Sequence, residues 1–224
     1  MSDLTLIIPA KNEKESLPKV LDELKGFNFM KNIILEASDK LTIDAIKNYD
    51  CKIIYQDSKG YGDALKKGIE TVETKFFCIF NADGSFDPKE LDLMINRLED
   101  DKYDFVFASR YEKNCGSEDD TFITLIGNYI FTFLGKIFSK LEITDILYTF
   151  VVARTSCAKK LELTAKDFSF CVELPIKAKR ANYRICTSKS YERARLAGKK
   201  KVNAFKDGLK ILFSMVKLFF KVKV

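Results

Sequence analysis

Short apolar runs alternate with segments of helical spacing through the first half of the chain. Leu4–Pro9 is a continuous apolar run closed by proline, as a buried strand would be. Residues 16–25 put Leu17, Val20, Leu21 and Leu24 on one face, with Pro18 in the first turn and Gly26 as the stop. Further strands are predicted over 32–37, 52–56, 76–80 and 103–108. Helices are predicted over 41–49, 61–72 and 88–98, the last with Asp87 as its cap and Pro88 at its first position. Strands that alternate with helices in this way predict a mostly parallel sheet with helices on both faces. Ligands of such sheets bind beyond the carboxyl ends of the strands. The polar residues to examine are therefore 11–13, 36–39, 81–87 and 109–111.

Beyond residue 111 the texture changes. A polar loop over 112–120 leads into a Phe-rich helical stretch, 121–138, that carries no charge before Lys136. Its uncharged part, 121–135, is too short to span a bilayer and is expected to be buried. A strand is expected over 147–153, a helix carrying Glu173 over 168–180, and an alternating strand over 183–191. A basic loop and a final helix follow. In that helix Lys206, Lys210, Ser214, Lys217 and Lys221 share one stripe, and Leu209, Ile211, Leu212, Phe213, Met215, Val216, Leu218, Phe219 and Phe220 fill the remaining, broad apolar arc. This is the pattern of a helix lying in a membrane interface. Packing on the body or on a second subunit, with lysine outward, is the other reading. The first predicts peripheral membrane contact and the second admits a homo-oligomer. Nucleic acid is not expected, because the basic residues alternate with large aliphatics more than with stacking aromatics.

Composition narrows the chemistry. With 224 residues, 46% hydrophobic and 31% charged, the chain reads as one globular domain of ordinary size. It contains no histidine. That excludes Ser-His-Asp and Cys-His sites, imidazole-held zinc and a histidine base. Residues 188–224 hold nine Lys and two Arg against Glu192 and Asp207, so the net charge of +6 resolves into a basic tail of +9 and a body of −3. Such a tail suits phosphates or an anionic membrane surface. The six cysteines form no CxxC pair and read as reduced, with Cys51 and Cys78 in apolar runs. The start of the chain lacks the pattern of a signal peptide, so a cytoplasmic location is expected, with contact at the inner face of the membrane.

The central chemical signal is Asn81-Ala82-Asp83-Gly84-Ser85-Phe86-Asp87-Pro88. The fourth strand delivers Asp83 to the sheet edge, and the glycine lets backbone approach a ligand closely. One carboxylate there suits a hard divalent ion shared with diphosphate oxygens, although a plain helix-capping turn uses the same residues. The segment resembles the DxD-containing turn of family-2 glycosyltransferases, in particular the dolichyl- and polyprenyl-phosphate mannosyltransferase-like branch. Other stretches resemble the family in the same order. They are Ile7-Ile8-Pro9-Ala10-Lys11-Asn12-Glu13, Lys59-Gly60-Tyr61-Gly62-Asp63-Ala64-Leu65, Ala108-Ser109-Arg110-Tyr111, Gly127-Asn128, Thr144-Asp145-Ile146-Leu147-Tyr148 with Glu173, and Arg195-x-x-Gly198-x-Lys200-Lys201. Together they run from about residue 4 to 212.

The resemblance implies an α/β, GT-A nucleotide-diphosphosugar transferase fold, with a nucleotide-binding half over 1–111, an acceptor half over 112–202 and an amphipathic helix over 203–224. It implies inverting sugar transfer from a GDP- or UDP-sugar to a lipid-phosphate or glycan acceptor, with Mg²⁺ or Mn²⁺. Pro9, Ala10 and Glu13 would line the nucleotide, and Glu36 its ribose or base. Asp83, with Asn81, would hold the metal. Arg110, Arg195 and Lys201 would hold phosphates, and the 121–135 helix would lie beside the acceptor groove. A phosphate acceptor is already ionised and needs no base. A hydroxyl acceptor would need one, and Glu173 and Asp145 are the candidates, each equally suited to be a cap or an ion-pair partner. Four positions depart from the family pattern: Asn81 for the first Asp, Glu36-Ala37-Ser38-Asp39 for Asp-Asp-Gly-Ser, Thr124 for an Arg, and Lys200 for a Ser. They leave a non-catalytic nucleotide-sugar-binding protein as the alternative.

Overall fold

The computed structural model describes residues 3–100, 102–198 and 200–220. Its first half holds β1 (Leu4–Pro9), α1 (Leu17–Glu23), β2 (Met30–Leu35), α2 (Lys40–Ile46), β3 (Lys52–Tyr55), α3 (Tyr61–Thr71), β4 (Phe76–Ile79), α4 (Leu91–Glu99) and β5 (Phe105–Ser109). Its second half holds β6 (Gly116–Ser117), α5 (Phe122–Ser139), β7 (Val151–Arg154), α6 (Thr155–Ala158), α7 (Phe170–Arg180), β8 (Ile185–Lys189), β9 (Tyr191–Glu192) and α8 (Ala204–Phe220). Seven strands form one sheet in the order β3-β2-β1-β4-β7-β5-β8.

The sheet is parallel except at β7, which runs antiparallel to both neighbours and pairs Phe76 with Arg154 and Phe105 with Ala153. A strand buried on both faces reads as an unbroken apolar run whichever way it points, so the Val-Val-Ala run did not announce its direction. It also starts later than expected, at Val151. Two apolar layers cover the sheet. One contains Ile7, Ile34, Phe77 and Phe105 under α3 and α7; the other contains Leu6, Ile8, Phe76 and Phe150 under α1 and α4. α3 lies close enough that a Cβ on Gly68 would sit 2.3 Å from Ile7 Cγ2. The six cysteines are free; Cys78 is buried as expected, whereas Cys51 is only half-buried.

The helix α5 differs from expectation. It is not buried: only Asn128, Phe131 and Gly135 are enclosed, while Phe122 is 75% exposed and Ile126, Tyr129, Ile130, Phe133 and Ile137 also face outward. It runs to Ser139, which makes it long and apolar enough, by length and composition, to cross a bilayer. It is nevertheless fastened to the body. Asn128 Nδ2 donates to Asp145 at 2.9 Å, and its Oδ1 accepts from the Leu147 amide at 3.0 Å. α8 packs across α5 and α7 through Ile211, Met215 and Leu218. Its lysine stripe is exposed at Lys206, Lys210 and Lys217; Lys221 lies outside the described residues.

Candidate active site

The ends of β1, β2, β4 and β5 converge on one edge of the sheet, where they line a cavity of about 610 Å³. That is the size range of a small-molecule site. Pro9 to Glu13 leave β1 with Asn12 in the left-handed region at φ 53°. The turn is held by the Asn12 amide donating to Asp39 at 2.7 Å and the Glu13 amide donating to Thr42 at 2.9 Å. Glu36 follows β2 and pairs with Lys11 at 3.1 Å.

Asp83 sits beyond β4 on a turn anchored from below. Phe86 is buried, stacks on Phe150 at 4.5 Å and meets Phe80 edge-on at 5.8 Å. This aromatic packing fixes the turn to the sheet. Asp83 Oδ1 accepts from the Ser85 amide at 3.1 Å and its hydroxyl at 2.7 Å. Asp83 Oδ2 faces Arg195 Nη1 at 3.6 Å. Gly84, at φ 84°, lets the basic loop lie on this turn, since a Cβ there would fall 2.5 Å from Leu196. Backbone bonds complete the seat: the Leu196 amide donates to Asp83 at 2.8 Å and the Arg193 amide to Ser85 at 2.9 Å.

The loop's cations find carboxylates around the cavity. Arg195 makes a two-pronged contact with Asp119, at 3.2 and 2.8 Å. Lys200 also reaches Asp119, at 3.3 Å. Lys201 pairs with buried Glu13. Burial works against the charge of Asp119, but Arg195 and Lys200 outweigh it and hold its carboxyl below the ordinary value. The same pairing, with Asp83 adding to it, raises the pKa of Arg195.

Pro9, Ala10, Glu13, Glu36, Asn81, Asp83, Arg110, Arg195 and Lys201 all line the cavity. Two expected roles require correction. Arg110 reaches the wall, but its guanidinium is engaged: it donates to Asp145 at 2.8 and 3.0 Å and to Glu192 at 2.9 Å, with Asp120 at 3.8 Å. Its side chain is 9% exposed, so a phosphate would have to displace buried carboxylates. Glu173 does not line the cavity. Its carboxylate accepts from the Thr164 and Ala165 amides, at 2.9 and 2.8 Å, and pairs with Lys177 at 2.9 Å. Burial alone would raise this carboxyl, but those donors hold it below its ordinary value, which is wrong for a base. Asp145 likewise serves Arg110 and Asn128.

Asp119, Glu192, Lys200, Tyr61 and Tyr148 also line the cavity; the sequence motifs include Lys200, Tyr61 and Tyr148 without giving them a site role, and Asp119 was passed over. The acidic run Glu118-Asp119-Asp120, set against a basic tail, was the available signal for Asp119. A further wall is apolar, with Leu147, Phe168, Val202 and Ile211.

A divalent ion fits the donor set as a guest of the substrate. Among the described residues Asp83 Oδ2 accepts no hydrogen bond, Asn81 lines the same cavity, and no three acidic or cysteine side chains form a cage. Mg²⁺ and Mn²⁺ sites of this kind take one or two protein oxygens and complete their shell with phosphates and water.

Comparison with known proteins agrees with this geometry. Residues 5–161 match Glycosyl transferase family 2. An uncharacterized glycosyltransferase of Mycobacterium tuberculosis is 24% identical over 200 residues, 89% of each chain. A dolichyl-phosphate hexose transferase of Haloferax volcanii is 24% identical over 222 residues, 96% of this chain and 93% of that one. Among solved structures, glucosyl-3-phosphoglycerate synthase from M. tuberculosis, bound to Mn²⁺, uridine diphosphate and phosphoglyceric acid, superposes with a TM-score of 0.79 at 12% identity. That match covers 98% of this chain and 79% of the synthase. With most of its length inside the family match and its sheet arranged as in GT-A glycosyltransferases, the chain belongs to glycosyl transferase family 2 and is a glycosyltransferase.

Proposed function

We propose that the protein moves a sugar, with inversion, from a GDP- or UDP-sugar to a phosphate-bearing acceptor, lipid-linked or part of an envelope polysaccharide, at the cytoplasmic face of the membrane. The observation that carries this reading is one carboxylate, Asp83, facing a loop that supplies Arg195, Lys200 and Lys201 to the same cavity.

In this reading the donor's nucleoside lies along residues 9–13 and Glu36, and its diphosphate lies between Asp83 and the basic loop. Asp83 and Asn81 would hold Mg²⁺ or Mn²⁺, which when bound neutralises charge on the leaving diphosphate. Arg195 and Lys201 now rest on Asp119 and Glu13. An incoming diphosphate competes for them, since charge-assisted contacts to phosphate are strong and Arg can grip it with two parallel bonds. Negative charge that builds on the leaving group then meets preplaced cations. The phosphate role first given to Arg110 passes to Lys200, while Arg110 organises the wall through Asp145 and Glu192.

The same geometry supports a phosphate acceptor. The chain has no histidine, Glu173 is outside the cavity, and Asp145 is held by Arg110 and Asn128. A phosphate nucleophile, ionised at neutral pH, needs positioning instead of deprotonation. The similarity to a dolichyl-phosphate hexose transferase supports a lipid phosphate.

A thermal-shift screen of UDP-, GDP- and CMP-sugars with and without Mn²⁺ tests the donor. A metal-dependent rise in Tm with one base is expected, because a ligand of the folded state raises Tm. No rise with any donor in that panel would overturn the donor assignment.

A further inference from the structure

We propose that α5 and α8 together form a membrane-docking platform that seats on an anionic lipid bilayer, with the cavity opening at its edge. This rests on the membrane-side location proposed above and goes beyond it, because it assigns the contact to a two-helix surface in which the mid-chain helix supplies the larger apolar share.

The surface is out of proportion to the rest of the protein. Among the described residues, eight of the exposed large apolar side chains lie on α5 and six on α8, against seven elsewhere. Phe138 on α5 stacks on Phe219 of α8 at 4.8 Å, which joins the two exposures into one face. Water-facing apolar patches of ordinary monomers are a few hundred Å², and larger ones mark a partner or a membrane.

Charge selects the occupant. α5 carries no Asp or Glu, and its only charged residue is Lys136, with Lys140 just beyond it. α8 presents Lys206, Lys210 and Lys217 on one edge of its apolar arc. Its single acid, Asp207, accepts from the Asn203 amide at 2.8 Å and lies 3.7 Å from Lys210, which also reaches Asp167 at 3.8 Å, so Lys206 and Lys217 are the border cations without an ion pair among the described residues. An apolar face whose α5 part carries no acid, and whose lysine border has one exposed acid, Asp167, at Lys210, complements acyl chains bordered by anionic headgroups. A second copy fits less well, because an isologous contact brings identical lysine borders together.

The face also connects to the site. Ile211, on the inner side of α8, lines the cavity, as does Val202 in the loop that enters α8. An acceptor with an apolar tail can therefore reach the basic loop along Val202 and Ile211 while its tail stays in lipid.

Sedimentation of the full chain with vesicles of phosphatidylcholine alone, or of phosphatidylcholine with phosphatidylserine, tests this. The wild type is expected to partition onto the anionic vesicles and to be released by salt. Ile126→Asp/Phe133→Asp, both on the outer arc of α5, should lower that partitioning by about tenfold or more. Lys206→Glu/Lys217→Glu should abolish the preference for anionic lipid. Each variant should keep the wild-type Tm and the donor-induced Tm rise, which separates failure of docking from failure of the donor site. Equal partitioning of wild type and the α5 variant would overturn the proposal. So would the absence of binding to either vesicle, or a wild-type dimer in analytical ultracentrifugation that the α5 variant dissolves.

Discussion

α3 and α5 are both helices with a strong apolar pattern, and the structure treats them differently. α3 lies between two strands of one sheet, so its chain must cross that sheet, and it buries Gly62, Ala64, Leu65, Gly68 and Ile69 there. α5 connects loops, packs on α7, α8 and the 141–147 segment, and leaves most of its apolar surface open. The same contrast separates the two sides of the cavity. On the β4 side Asp83 stands on a turn fixed by Phe86 in the core. On the basic-loop side Arg195, Lys200 and Lys201 are held mainly by ion pairs, with Arg193 fastened to Glu23 at 2.7 Å. Hydrophobic packing fixes one side, and charges that a substrate can replace hold the other.

The largest break in that comparison is Asp83→Ala. It removes the carboxylate of the β4 turn that faces Arg195 of the basic loop. Initial rates with the preferred donor should fall about 10²–10³-fold, the scale of losing one electrostatic partner of a transition state. The Mn²⁺-dependent Tm rise should vanish with it. Survival of both would show that the metal and the diphosphate sit elsewhere.

The two arginines sharpen the contrast next. Arg110→Ala leaves Asp145 and Glu192 buried without their cation, which costs about 3–5 kcal/mol and should lower Tm by many degrees. Arg195→Ala frees a partly exposed pair on a loop and should hold Tm near wild type while kcat/KM falls about 10²-fold. Reversed outcomes would mean that Arg110 is the phosphate ligand and Arg195 the structural residue. A smaller effect is expected at the contact between the two sides. Gly84→Ala sets a Cβ against Leu196 at a left-handed φ, so donor affinity should weaken about tenfold as the loop lifts. Trimming the loop with Leu196→Ala in that background should recover part of the loss, read as KM.

The sequence made the fixed side legible because its strands are unbroken apolar runs and its turn residues have strong local preferences. Asp87-Pro88 favours a helix start, and the glycine of Asp83-Gly84 lets the backbone approach a neighbour closely. It was less informative on the other side for a physical reason. Periodicity shows which residues of a helix are apolar, whereas covering them depends on which elements the chain brings alongside, and α5 has too few. Ion pairs across long separations, such as Arg195 with Asp119, leave no local pattern either. Glu173 was misread for the same reason: a carboxylate in a helical first turn has the same local sequence whether it faces a cavity or the amides of Thr164 and Ala165.

That residue provides the smallest and most selective test. Glu173→Gln keeps the shape of the side chain but loses the charge that the two amides and Lys177 stabilise. If the group is structural, kcat and its pH profile should stay at wild-type values while Tm falls. The pH dependence of that fall has a definite sign. The folded-state pKa of Glu173 lies below its unfolded value, so its contribution to stability is complete above the unfolded value and disappears as pH falls through the folded one. The Tm gap between wild type and variant should therefore be widest near neutral pH and close toward acid. A gap that stayed constant with pH would trace the loss to shape instead of charge. A variant with normal Tm and an altered acid limb in kcat would return Glu173 to the chemistry and place a base on the acceptor side of the cavity.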